Sequence, residues 1–249
     1  MFKYTIREII YGVFLPGIER FKIISLGSPV SDIRVMRIAP VSGTIPAYKP
    51  GQFMFLHFLD DSGASIVRKP YSLSSAPSAK YLEFTIELVN GQFTGRLEKA
   101  KVGDILGVEG PFGHMVYEDE AKTVFIAGGT GISPIISMLR YIAEKKIKGS
   151  FLFFYSVKTR ERILHHDELR RLQKANPGIK VVITLTREAP VGWAGECGRL
   201  NDAMIKKHAP SAKDTDWWVC GPSEMIKSVK DCLIGMGTDP KRLRLEGWG

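Results

Sequence analysis

Thr123-Val124-Phe125-Ile126-Ala127-Gly128-Gly129-Thr130-Gly131-Ile132-Ser133-Pro134 (TVFIAGGTGISP) decides the architecture of the chain. Five apolar or β-branched residues read as a buried strand, a glycine-rich turn follows, and Ile135, Ile136, Leu139 and Ile142 then recur at helical spacing through Lys146. Pro134 suits a first helical turn, where its missing donor costs little. Downstream, the same rhythm predicts strand 151–156, helix 164–174, strand 180–185, helix 200–208, strand 217–220 and helix 223–236. Strands alternating with helices indicate a doubly wound parallel α/β sheet.

Upstream of this stretch the rhythm differs. Segments 21–26, 31–38, 53–59, 82–89 and 105–109 are short and rich in Val, Ile, Phe and Thr. Pro50-Gly51, Asp60-Asp61-Ser62-Gly63 and Asn90-Gly91 separate them as turns. Such spacing predicts an antiparallel β-barrel or sandwich. Glu118-Asp119-Glu120 reads as a charged linker. The expected layout is an N-terminal extension over 1–20 packing on the barrel, a barrel over 21–118 and an α/β domain over 119–249.

Charge follows the same division. Residues 1–120 carry 13 basic and 13 acidic side chains, and residues 121–249 carry the other 22 and 13, which is the whole net charge of +9. The second half is therefore expected to face something anionic, either nucleotide phosphates or an acidic protein. No arginine-rich run or aromatic-basic motif is present, so nucleic acid is not an expected partner. No apolar run approaches the roughly 20 residues of a membrane helix. Lys3, Arg7 and Glu8 without a small-residue cleavage site argue against a signal peptide. Three spaced cysteines (Cys197, Cys220 and Cys232) predict a reducing, cytoplasmic setting, and are too few for a four-cysteine iron–sulfur cluster.

The chemistry is concentrated in Arg68-Lys69-Pro70-Tyr71-Ser72-Leu73-Ser74-Ser75 (RKPYSLSS). A cation, a rigid proline, a phenol and hydroxyls can grip an anion, face a flat ring and hydrogen-bond its heteroatoms. Gly91-Gln92-Phe93-Thr94-Gly95 is expected to be a flexible loop whose N–H groups hold an anion. Gly128-Gly129-Thr130-Gly131 lets the backbone approach a pyrophosphate at a helix N-terminus, although it is not the G-x-G-x-x-G fingerprint. Trp217-Trp218-Val219-Cys220-Gly221-Pro222-Ser223-Glu224-Met225 is a second strand-to-helix junction at the sheet edge where open α/β folds bind ligands. His165-His166-Asp167 lacks a third ligand at metal spacing, so no metal is expected. His57 and His114 have no evident partner and are expected at the barrel rim or in solvent.

RKPYSLSS, GQFTGRL, GPFG, AGGTGISP and VCGPSEM occur in the order and approximate spacing of the ferredoxin–NADP reductase superfamily, and the chain resembles it over residues 21–249. The resemblance implies a flavin-binding barrel followed by a nicotinamide-nucleotide domain. Arg68 would then pair with the flavin phosphate, with Lys69, Pro70 and Leu88 around the flavin. Tyr71 would lie against the isoalloxazine ring, and Ser72 would reach N5. Gln92, Phe93 and Thr94 would hold the FAD diphosphate, with Thr130 close by. Gly129, Thr130, Gly131 and Pro134 would border the nucleotide pyrophosphate. Cys220, Gly221, Pro222 and Met225 would shape the nicotinamide pocket. Trp248 would cover the flavin face and Glu246 would be a proton or hydrogen-bond partner near N5. Thr186-Arg187-Glu188, with Lys158 and Arg160, resembles a 2′-phosphate site and favours NADP(H) over NAD(H); FAD is favoured over FMN. The implied activity is hydride transfer between NAD(P)H and flavin, with single electrons passed to an acidic ferredoxin, flavodoxin or oxygenase component. The alternatives are an NAD(P)H-dependent flavin or quinone reductase, or a flavin-bearing electron-transfer subunit of a larger complex.

Overall fold

Alternating apolar residues in the first half fold into antiparallel strands, as their period of two requires. The computed structural model describes residues 17–209 and 214–248. Strands β1 (Glu19–Val30), β2 (Ile33–Pro40), β3 (Phe53–Leu59), β4 (Ser65–Ser72) and β5 (Leu82–Glu87), helix α1 (Gln92–Lys99) and strand β6 (Ile105–Phe112) build one six-stranded sheet in the order β4-β3-β6-β1-β2-β5. Its two edges meet: Leu73, just past β4, bridges Phe84 in β5, and Ser74 N–H donates to Glu83 O at 2.7 Å. The sheet thereby closes as a barrel around Phe21, Met36, Leu56, Phe84 and Leu106.

Two elements here differ from the sequence reading. RKPYS forms the C-terminal part of strand β4, which ends at Ser72 and was not among the strand segments expected from the sequence. Proline is tolerated because β4 is an edge strand of the sheet, meeting β5 only past its end at Leu73. GQFTG opens helix α1 instead of forming a loop; Phe93 and Leu97, four residues apart, bury against the barrel core. The first strand begins at Glu19, paired with Val108. Most of the expected 1–20 extension, residues 1–16, lies outside the described residues.

The second half continues with β7 (Lys122–Gly128), α2 (Ile132–Glu144), β8 (Ser150–Val157), α3 (His166–Ala175), β9 (Ile179–Leu185), β10 (Glu196–Cys197), α4 (Asp202–His208), β11 (Asp216–Pro222), α5 (Ser223–Gly235) and β12 (Leu243–Trp248). They form a parallel sheet in the order β10-β9-β8-β7-β11-β12. Phe125, Ile135, Leu139, Phe153 and Trp218 fill the core on one face, and Val124, Phe154, Ile205, Trp217 and Leu233 fill the other. Strand order reverses between β7 and β11, and the loops that leave those strands diverge at this switch point. Gly131 is required there: a Cβ would come within 2.3 Å of the Cys220 carbonyl oxygen.

Strand β5 joins the two halves. Leu82, Phe84 and Ile86 face the barrel core, whereas Glu83, Thr85 and Glu87 face the α/β half. Arg140 of α2 donates to Glu83 Oε1 and to the Ser74 carbonyl, both at 2.6 Å. Its Nε and Nη2 form a fork to both oxygens of Glu168 at 2.7 Å. Ser133 and Ser137 add hydrogen bonds to the Thr85 and Ser75 carbonyls at 3.2 and 2.6 Å. His165, read as a helix start, sits in this contact within 3.3 Å of Thr85 Oγ1 and of Glu168 Oε2.

Candidate functional site

Two cavities open along the contact between the halves, and Glu87 and Thr130 line both. The larger, about 660 Å³, is walled by Lys69, Pro70, Tyr71 and Ser72 of β4, by Thr130 and Pro134, and by Leu245, Glu246 and Gly247 of β12. Residues separated by 174 positions meet there: Ser72 Oγ–H donates to Glu246 Oε1 at 2.9 Å. The pairing is built by β12, which lies parallel to β11 with Glu246 opposite Cys220. Burial pushes the Glu246 carboxyl above its ordinary range, against the opposing pull of the Ser72 hydrogen bond. The Tyr71 ring is half-buried against Phe93, with centroids 5.3 Å apart, and burial pushes its phenol up so that it stays neutral. An aromatic face, a hydroxyl–carboxyl pair and a lysine in one open cavity fit a flat, phosphate-bearing ring such as a flavin.

Arg68, expected at the flavin phosphate, is turned away from this cavity. It is opposite His57 in the β3–β4 register, whereas Tyr71 is opposite the buried core residue Met54. Side chains alternate across a strand, so Arg68 and Tyr71 occupy opposite faces. The Arg68 guanidinium donates to Glu109 at 2.9 Å and lies 4.6 Å over the Phe55 ring. Lys69, on the same face as Tyr71, is the β4 cation that lines the cavity. His57 is likewise no solvated rim residue: it is buried, 2.8 Å from Ser65 Oγ and 3.3 Å from Glu109. His114, by contrast, is exposed at the cavity wall.

The remaining flavin candidates divide. Gln92 is exposed, whereas Phe93 and Thr94 bury their side chains and Thr94 Oγ–H donates to the Val89 carbonyl. Helix α1 has no side-chain cap, so a diphosphate there would meet the backbone N–H groups of its first turn and not these side chains. Leu88 packs on the barrel core, and its neighbour Val89 lines the cavity instead. Trp248 pairs with Pro222 through the β12 backbone.

The smaller cavity, about 380 Å³, is lined by Gly129 and Thr130 after β7, by Lys158 after β8, by Thr186 and Arg187 after β9, by Pro222 at the end of β11 and by Met225 in α5. Arg187 N–H donates to the Lys158 carbonyl at 3.0 Å, which keeps these two cationic residues adjacent. Arg160 does not line it; its backbone N–H is taken by Glu188. Gly131, Cys220 and Gly221 are buried behind the wall, and burial pushes the Cys220 thiol well up, which leaves it neutral. Sequence reasoning missed Arg162 and Arg199, which add two more cations, and Glu87 at the junction.

Residues 30–117 match the oxidoreductase FAD-binding domain, and residues 125–231 match the oxidoreductase NAD-binding domain. The chain is 32% identical over 211 residues to the glycine betaine monooxygenase reductase subunit of Pseudomonas aeruginosa (strain UCBPP-PA14), covering 81% of this chain and 56% of that protein. It is 33% identical over 183 residues to NADH-cytochrome b5 reductase 1 of Aspergillus terreus, covering 69% of this chain and 61% of that protein. The chain thus spans little more than half the length of these curated relatives. Among solved structures it superposes on the flavohem-like FAD/NAD-binding domain of nitric oxide dioxygenase from Vibrio cholerae with a TM-score of 0.84 at 20% identity, covering 94% of this chain and 99% of that one.

Proposed function

Because the chain belongs to the ferredoxin reductase-type superfamily of FAD- and pyridine-nucleotide-binding oxidoreductases, we propose that it takes reducing equivalents from NADPH through FAD to a separate one-electron acceptor. The observation that carries this reading is the meeting of the two cavities at Glu87 and Thr130, beside the Ser72–Glu246 pair. A flavin in the larger cavity and a nicotinamide nucleotide in the smaller would bring their rings together there. The flavin, when bound, supplies the conversion of a hydride into single electrons, a chemistry that no side chain offers.

The protein's own part is positioning and electrostatics. Tyr71 offers a neutral aromatic face, and Lys69 offers a cation to the flavin phosphate. Ser72 and Glu246 hold a proton between Oγ and Oε1 at the cavity floor. The Gly129–Thr130 turn and Pro222 admit the nicotinamide end, and Met225 packs beside it. NADP(H) is favoured over NAD(H) because Lys158 and Arg187 stand together at the strand ends, where a 2′-phosphate needs cations. The acceptor is an oxygenase component, a ferredoxin or a flavodoxin with an acidic face that suits the basic second half. The oxygenase reductase subunit among its relatives supports that choice.

Nucleotide choice is tested with Arg187→Ala. The variant is expected to raise KM for NADPH about ten- to hundredfold, the worth of a charged hydrogen-bonded pair, and to leave KM for NADH unchanged. Equal KM values for both nucleotides in the parent, unmoved by the substitution, would remove the NADP(H) preference.

A further inference from the structure

Arg162 stands in the nucleotide cavity but is held by the other half of the molecule. It ends the short turn Arg160–Arg162 after β8 and lines the smaller cavity. Its Nη2 donates to Asp32 Oδ2 at 2.7 Å and to Glu87 Oε1 at 3.5 Å. Asp32 lies in the β1–β2 turn and Glu87 ends β5, so both carboxylates come from the barrel. Both bonds use one nitrogen. Among the described residues no acceptor meets Nη1 or Nε. Asp32 Oδ1 meets no hydrogen-bond partner among the described residues, so Oδ2 carries the contact to Arg162. The Arg162 hydrogen bond holds the Asp32 carboxyl below its ordinary range.

We infer that Arg162 is a phosphate-binding residue of the nucleotide cavity, positioned from the barrel by Asp32 and Glu87. The inference rests on reading that cavity as the nucleotide site. A guanidinium suits a diphosphate because it offers parallel N–H donors in a fixed plane. A free arginine must be ordered when the ligand arrives; one already pinned by a carboxylate was ordered during folding. Glu87 lines both cavities, so Arg162 lies toward their junction, whereas Lys158 and Arg187 lie together after β8 and β9. Arg162 therefore serves the diphosphate common to NADH and NADPH, and Lys158 with Arg187 serves the 2′-phosphate. Recognition is shared: loops of the α/β half shape the cavity, and the barrel fixes one of its cations.

The test uses the purified full chain with Asp32→Asn and Arg162→Lys, titrated with ADP-ribose, NADH and NADPH. Asp32→Asn is expected to weaken all three about three- to tenfold, the affinity equivalent of ordering one long side chain. KM should rise accordingly while kcat and the flavin absorption stay near the parent's. Arg162→Lys, which keeps the charge but loses the fork, should weaken all three at least as much. Unchanged or tighter binding by Asp32→Asn would overturn the inference, even if its thermal stability fell, because the carboxylates would then be a brace or a competitor for the phosphate. If the parent chain binds none of the three probes, the nucleotide reading fails and takes the inference with it. Binding by the parent that neither variant alters removes the inference alone.

Discussion

At the residue scale the decisive pair is Ser72 and Glu246. Each was legible in the sequence, Ser72 within RKPYSLSS and Glu246 through the role the family resemblance implies for it. Their 2.9 Å contact was not legible, because it joins strands from opposite ends of the chain. Arg68 shows the complementary error. Sequence adjacency to Tyr71 suggested a shared ligand, but the Arg68 guanidinium is held by Glu109 over the Phe55 ring, and Lys69 is the β4 cation beside the cavity. Glu246 also makes a prediction with two signs. Burial raises its carboxyl above 4.5, so the ionised form carries a cost that is absent below that pH and complete above the raised value. Glu246→Gln should therefore melt higher than the parent at pH 7 and no higher at pH 4 in thermal scans. The same variant should lose turnover about a hundredfold, as expected for removal of a proton-holding group. A variant with parental turnover would take the proton role away from Glu246.

At the element scale, periodicity identified most strands and helices and failed at four of them for physical reasons, β10 being only two residues long and too short to show a period. Strand β4 was obscured by Pro70, which only an edge strand accommodates. Helix α1 was hidden behind two glycines, although Phe93 and Leu97 at helical spacing were its signal. Strand β12 has no apolar run of its own and exists because β11 offers it a parallel partner. Strand β5 was read correctly, but its role as a joint was not: nothing local says that Glu83 will be fully buried against Arg140 and Arg37. Burial pushes the Glu83 carboxyl up, but the charges and hydrogen bonds of those arginines bring it below 4.5. Glu168 is likewise held below 4.5, burial opposing and hydrogen bonds from His165 and Arg140 prevailing. The stability these groups confer is complete above 4.5 and declines as the pH falls below it. Arg140→Met should cost about 3 kcal/mol or more in urea unfolding at pH 7, because it strips a buried charge of a partner. That deficit should shrink as the pH is lowered through the carboxylate range, where protonation of Glu83 removes the unpaired charge. A deficit independent of pH would mean that Arg140 contributes packing and not ion pairing.

At the scale of the whole molecule, the two halves divide the work. The barrel supplies the aromatic face and the hydroxyl, the α/β half supplies the nucleotide loops and most of the positive charge, and the site exists only where they touch. The sequence showed the division as a change of rhythm and of charge near residue 120, but not the cavity junction at Glu87 and Thr130, which tertiary packing creates. The excess charge of the second half predicts that electron transfer to an acidic protein acceptor slows with salt. From about 50 to 200 mM NaCl the second-order rate should fall several-fold as screening shortens the reach of surface charge. A rate indifferent to salt would separate the basic surface from acceptor docking. The central claim is that a flavin and a nicotinamide nucleotide meet in this chain, and anaerobic titration of the purified, FAD-loaded protein with NADPH tests it directly. Flavin absorption bands in the visible should bleach with about one equivalent of NADPH. A protein that takes up no flavin, or whose flavin bands neither NADPH nor NADH bleaches, would contradict it.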